Sequence, residues 1–445
     1  MLTVLTHRTY RRLFAAQVIA LIGTGLATVA LGLLAYDIAG ADAGAVLGTA
    51  LAIKMVAYVG VGPLAGTLAV LLPRKALLVA LDAVRAAIAL ALPWVDQTWQ
   101  VYVLIFVLQA ASAAFTPTFQ ATIPDILTSE RDYTRALSLS RLAYDLESLL
   151  SPLLAAGLLL VVGYDHLFVG TAIGFAASAL LVAAALLPAA HATAPVGRPL
   201  DATTRGIRIY VSTPRLRGLL AVHLAVAAAG AMVLVNTVGY VRHLLGLDEA
   251  AVALALGAYG LGSLLAALAL PRVLDRFADR TVMLCAAALL AAALAIAVPV
   301  TAALGAWRWP GLLLLWAVIG AGSSLVLTPS GRLLRRSAHP QDRTALFAAD
   351  FALSHACWLL CYPLAGQLGR ITGMAPTLAV LCALTTVAAV AATRLWPAHD
   401  PEVIEHGHPE LDPEHDHFND GATVNGHRRH THPYRIDGLH TRWPT

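Results

Sequence analysis

The residues best suited to chemistry lie at the end of the chain, in IEHGHPELDPEHDHF, Ile404 to Phe418. Nine of sixteen histidines fall at or beyond His399, and six of them form His-x-His pairs: His406/His408, His415/His417 and His430/His432. Acids such as Glu405, Glu410, Asp412, Glu414 and Asp416 crowd the first half of the segment. Imidazole suits nickel, zinc and copper, and carboxylates add weaker oxygen ligands. Without an apolar core, the tail is expected to lack fixed structure until a metal binds. A solvated, merely polar tail is the plainer alternative. The histidines are dispersed, unlike those of a purification tag.

A second set lies in the apolar run ADFALSHACWLLCYP, 349–363. On an ideal helix Ser354, Cys357 and Cys361 fall within about 40° of Asp350, which makes a carboxylate, hydroxyl and thiol stripe. At 1.5 Å per residue, Asp350 and Cys361 are ~16 Å apart, so they cannot share one ion; Cys357 and Cys361, ~6 Å apart, can. His355 points ~140° away from Asp350. Cysteine also serves as a small apolar residue in packed spans, so both roles stay open.

Other polar residues interrupt apolar runs. Arg141 and Asp145 are four apart and share a helix face, as do Asp82 and Arg85, three apart; each pair can simply neutralise itself. Glu147 faces another way and has no partner on its own helix, which makes it the better proton carrier. His223 and Asn236 interrupt LLAVHLAVAAAGAMVLVN. Lys54 can snorkel, pair with an acid or line a cavity; unpaired, it would repel a metal. Buried ionisable groups are costly in lipid and mark ion or proton paths.

The elements that position these groups are membrane spans. The chain is 58% hydrophobic and 13% charged, with mean hydropathy +0.72, against roughly 45–50% and about 25% in soluble proteins. Runs long enough to cross a bilayer occur at 13–36, 45–71, 76–93, 99–117, 136–161, 167–187, 217–240, 250–270, 281–303, 310–329, 345–367 and 374–395. The fold class expected is an all-α membrane protein with twelve transmembrane helices in two pseudo-symmetric six-helix bundles. The first run is too long for a signal-peptide core. The four cysteines form no CxxC pair, so no disulfide framework is expected. A net charge of +4 gives nucleic-acid binding little support. No phosphate-cradling GxxxxGK[ST] and no His-Glu-x-x-His is present, which argues against an ATP-driven pump and a metalloprotease. The expectation is therefore no enzyme and no permanently bound cofactor. Lys and Arg cluster at alternate junctions, which sets both termini in the cytoplasm.

The long sixth junction separates related halves. SAAFTPTFQ (112–120) matches SLVLTPSGR (324–332), and TRALSLSRLAYD (134–145) matches RTALFAADFALS (343–354), each followed by a late proline, Pro152 or Pro363. Repeated halves with a site between them are typical of secondary transporters. The divisions expected are an N-terminal bundle, 1–188; a cytoplasmic middle loop, 189–216; a C-terminal bundle, 217–396; and the His-rich tail, 397–445. With its basic short junctions, the chain resembles the major facilitator superfamily. The 2–3 junction, GPLAGTLAVLLPRK (62–75), keeps Gly62, Gly66, Arg74 and Lys75 but lacks the family's Asp-Arg. The 8–9 junction, PRVLDRFADR (271–280), has two Asp-Arg pairs, so a charge latch between halves is expected there.

The tail, ending HRRHTHPYRIDGLHTRWP, further resembles that of bacterial nickel-resistance exporters. That resemblance implies metal-resistance efflux of a divalent transition metal, nickel first, by proton antiport across the bacterial inner membrane. Partners are then the lipid bilayer, the metal as substrate and protons, with a monomeric chain and no nucleic acid. An exporter of drugs or siderophores and a membrane metal sensor are the alternatives.

Overall fold

The structure, a computed structural model, describes residues 2–71, 73–127, 129–187, 199–302, 305, 307–339, 342–401, 403–407, 422–424, 427–436, 439–440 and 443. Within these, side chains are not described for 62–71, for scattered positions of 117–152, for 199–203, for 344, or for most of the residues between 406 and 433. Among the described residues, thirteen α-helices precede a small sheet. They are α1 (Arg8–Ala39), α2 (Ala43–Leu71), α3 (Arg74–Ala91), α4 (Thr98–Ile126), α5 (Glu130–Leu159), α6 (Asp165–Ala184), α7 (Pro199–Ser212), α8 (Pro214–Val238), α9 (Glu249–Leu274), α10 (Asp279–Ala302), α11 (Arg308–Ser337), α12 (Arg343–Thr372) and α13 (Met374–Leu395). Twelve are long, one for each apolar run, and α7 is a short helix in the middle loop. Among the described residues ten stretches are long and apolar enough to cross a membrane, the first running through both α1 and α2. α5, whose first half is charged, completes the twelve.

Two helices outrun the sequence reading. α4 and α11 were expected to end near their Thr-Pro pairs, yet both continue beyond Pro117 and Pro329. Proline leaves a carbonyl without its usual donor, and neighbouring hydroxyls make that tolerable inside a membrane helix. The carbonyls freed here are those of Ala113 and Leu325; the hydroxyls of Thr116, Thr118 and Ser330 bond to the adjacent carbonyls of Ser112, Ala114 and Val326 and so add polar support to the same turns.

The packing repeats between halves. α1 lies on α5 and α6, α2 on α4, and α3 on α4 and α6; correspondingly, α8 lies on α12 and α13, α9 on α11, and α10 on α11 and α13. Across the halves, α2 meets α12 and α5 meets α9, pairs that the same two-fold relation exchanges. The α2–α12 seam is tight because glycines meet backbone. A Cβ on Gly366 would collide with the carbonyl of Gly44, and one on Gly48 with that of Tyr362. Such small-residue contacts let membrane helices approach closely. Outward-facing side chains such as Leu180, Leu268 and Leu314 are exposed and apolar, as a lipid-facing surface requires.

The tail, for which no fixed structure was expected, forms an antiparallel sheet in the order β1 (Val403–Gly407), β3 (His427–Pro433), β2 (Ala422–Val424). It is pinned at both ends to the C-terminal bundle. Ahead of the sheet, Asp400 pairs with Arg215 at 3.2 Å and Arg336 at 2.7 Å. Beyond it, Tyr434 and Ile436 join a buried cluster with Tyr210, Leu216, Leu334 and Trp396, and the Trp443 ring lies 5.0 Å from the Arg215 guanidinium. A few apolar anchors and ion pairs thus supply what the polar segment lacks by itself.

Candidate transport site

Five helices of the first half, α1 to α5, enclose a cavity of about 230 Å³. Among the described residues its charges are Lys54, Arg85 and Glu147; Tyr58 and Tyr144 add phenols and Gln17 an amide. The charges divide into two kinds. Arg85 is ion-paired to Asp82 on its own helix, Asp82 also accepts a 2.7 Å hydrogen bond from Ser178, and the guanidinium sits 4.1 Å and 4.5 Å from the rings of Phe115 and Phe175. That pair neutralises itself and ties α3 to α4 and α6.

Lys54 and Glu147 are different. Their charges act on each other, yet among the described residues neither makes a hydrogen bond or an ion pair. The Lys54 Nζ rests 5.8 Å from the centre of the Tyr58 ring. Glu147 owes its place to Gly25, since a Cβ there would lie 2.9 Å from Glu147 Oε1 and would overlap Ser151. A cation and a carboxylate left unpaired in one cavity can hold a dipolar ligand between them, and the carboxylate can exchange a proton.

The second half gathers a different cluster at the α7 end of α12. Tyr210 of α7 donates a 3.0 Å hydrogen bond to Asp350. His223 Nδ1 of α8 lies 3.7 Å from the same carboxylate oxygen, and its Nε2 is 3.3 Å from Ser330 Oγ of α11. Burial, and then the neighbouring Asp350 charge, raise the pKa of the Tyr210 hydroxyl, so it stays a donor. Cys357 feels the Asp350 charge, whereas Cys361 is fully buried in the apolar core. His355 turns away: its ring stacks 3.8 Å from Phe351 and 6.1 Å from Tyr58, which itself lines the first cavity. His355 thus marks the seam between halves.

The remaining sequence candidates are separate. The side chains of Arg141 and Asp145 lie outside the described residues. Asn236 is at the other end of α8, where its amide donates to the Ala365 carbonyl at 3.2 Å and its oxygen fills space left by Gly44 and Gly369. In the tail, the Cα of His406 is paired with that of His430, and Ile404 with His432; His408, His415 and His417 are outside the described residues. Among the described residues no group of three or more His, Cys, Asp or Glu is placed to hold a metal. The latch expected between halves at the 8–9 junction is instead internal to the second half, because Asp279 pairs with Arg332 of α11 at 2.7 Å. Sequence reasoning missed Tyr210, Tyr58 and Ser330, and treated Lys54 as an obstacle. A tyrosine in a short helix of the middle loop was the one available signal for Tyr210.

The sequence profile of the Major Facilitator Superfamily matches residues 13–243 and 219–413. The chain belongs to that superfamily. Among solved structures, a mutant of the nucleoside transporter NupG is 14% identical with a TM-score of 0.71, covering 88% of this chain and 100% of that one. A D-xylose-proton symporter is 14% identical with a TM-score of 0.64, over 88% of this chain and 98% of that one. A structure described as a bacterial metal transporter is 14% identical with a TM-score of 0.58, over 87% and 98%. At these identities the likeness is one of fold. No curated protein matches the chain. As a superfamily member it is a multi-pass membrane transporter and not an enzyme, and its two clusters lie one in each half.

Proposed function

We propose that this transporter exports a divalent transition metal, nickel first, in exchange for protons, by alternating access of its two halves across the bacterial inner membrane. The observation that carries proton coupling is Glu147: a carboxylate in the first-half cavity, without a hydrogen-bond partner among the described residues and in electrostatic reach of Lys54. Such a group can lose its proton to accept a cationic cargo and regain it to release that cargo. The metal assignment rests on the His-x-His tail and its resemblance to that of nickel-resistance exporters, with the His223–Asp350 pair on α8 and α12 as a polar station on the path. With the basic junctions placed in the cytoplasm, the tail and the Asp350 cluster sit at the inner mouth, where metal enters. The tail collects ions, and the spans move them.

Lys54 favours a second reading, an exporter of organic anions, because a fixed cation in the cavity opposes a bare metal. The test is acid-inside gradient-driven uptake of nickel, given free and as its citrate complex, into everted vesicles. Accumulation that disappears when the gradient is collapsed supports metal–proton exchange; accumulation indifferent to the gradient refutes it.

A further inference from the structure

The cavity of α1 to α5 sets a cation and a carboxylate apart, each free of hydrogen bonds among the described residues. Arg85 does not alter this balance, since its charge is met by Asp82. A bare divalent cation near Glu147 would be repelled by Lys54 across the same low-dielectric space. A cargo that is itself dipolar meets no such conflict. A carboxylate bound to the metal can turn toward Lys54, leaving the metal end to Glu147. The phenols of Tyr58 and Tyr144 and the Gln17 amide supply donors for further oxygens of such a ligand.

We infer that the first-half cavity is a binding site for a small carboxylate-bearing chelator, and that the metal crosses as its complex. This rests on the metal-export reading and specifies its cargo. Glu147 then works as a switch at one end of the ligand. Ionised, it faces the metal; once protonated, it withdraws that contact while Lys54 still holds the carboxylate, and the complex loosens on the side where protons arrive. Among the described residues, the other charged or titratable groups around Glu147 are Lys54 and Tyr58 from α2, Arg85 from α3 and Tyr144 from its own helix. A volume of about 230 Å³ suits a ligand of this class, not a peptide or a large drug.

The experiment uses the full chain in everted vesicles with an acid interior, and follows labelled nickel and labelled citrate or labelled histidine in the same sample. At least one chelator should raise nickel uptake about tenfold over nickel alone, with both labels entering together. Lys54→Gln should remove that gain and Lys54→Arg should restore much of it, with size-exclusion profiles confirming that each variant is folded. Nickel entering equally fast with neither chelator would overturn the inference and leave the export reading standing. Chelator entering without metal would keep the cavity assignment and sink the metal reading. Entry of neither label under any condition would sink both.

Discussion

Tyr210, on the short helix between the halves, donates its hydroxyl hydrogen to Asp350 of α12 at 3.0 Å. The middle loop therefore reaches into the second half and touches a carboxylate that also faces His223, 3.7 Å away. A segment that looks like a connector in sequence becomes part of the polar cluster.

Replacing Tyr210 by Phe removes the donor while keeping the ring in its buried cluster. A lost hydrogen bond to a charged group costs about 1.5–3 kcal/mol, and transport should fall severalfold as Asp350 shifts toward His223. Asp350→Asn retains an acceptor for Tyr210 but not the charge. If Asp350 is a cation station, its Asn variant should transport worse than Tyr210→Phe while melting at a higher temperature. The reverse order in a paired transport and thermal-melt assay would make Asp350 a structural anchor.

Glu147→Gln keeps the shape and removes the titration. Gradient-driven uptake should drop at least tenfold, whereas exchange of metal across vesicles without a gradient should persist. Loss of both activities to the same extent, in a folded variant, would assign Glu147 to binding and not to coupling.

The seam between halves depends on close backbone approach. Gly366→Leu should wedge α12 off α2, since even a Cβ collides with the Gly44 carbonyl. Cys361 is fully buried in the present arrangement. In a chain retaining it as sole cysteine, the leucine variant should make it react with a maleimide at least tenfold faster. Unchanged labelling would mean that the seam repacks without opening.

The docked tail gives a fourth prediction. Asp400→Ala removes one carboxylate from the buried Arg215 and one partner from the more exposed Arg336. Breaking a fully buried pair costs roughly 3–5 kcal/mol; with Arg336 partly solvated and Ser337 still bound to Arg215, about 1–3 kcal/mol is expected. Proteolysis within 401–433 should accelerate about tenfold, and Trp443→Ala should act in the same direction.

The sequence was informative where one local property decides the outcome. Long, mostly apolar runs marked twelve helices, because an element crossing hydrocarbon must be long and apolar. Pro117 and Pro329 misplaced two ends, since proline stops a helix in water but a packed membrane helix can run through it. Asp350, His223 and Glu147 stood out singly as charges in oil. That Asp350 and His223 meet, and that Tyr210 joins them, depends on how α7, α8 and α12 pack, which no spacing encodes. That Lys54 of α2 shares a cavity with Glu147 of α5 likewise depends on packing that neither helix's own sequence shows. The order in the tail was hidden for a similar reason. Tyr434, Ile436 and Trp443 are too few to form a core, but they complete one supplied by distant helices.

The most direct test of metal–proton exchange is nickel accumulation in everted vesicles under an acid-inside gradient, with nickel given free and as its citrate complex. The full chain should be compared with one ending at Ala398. Both chains should accumulate nickel while the gradient lasts and release it on collapse, which would place transport in the spans and leave the tail as a collector. Failure of the folded full chain to accumulate nickel in either form would contradict the account.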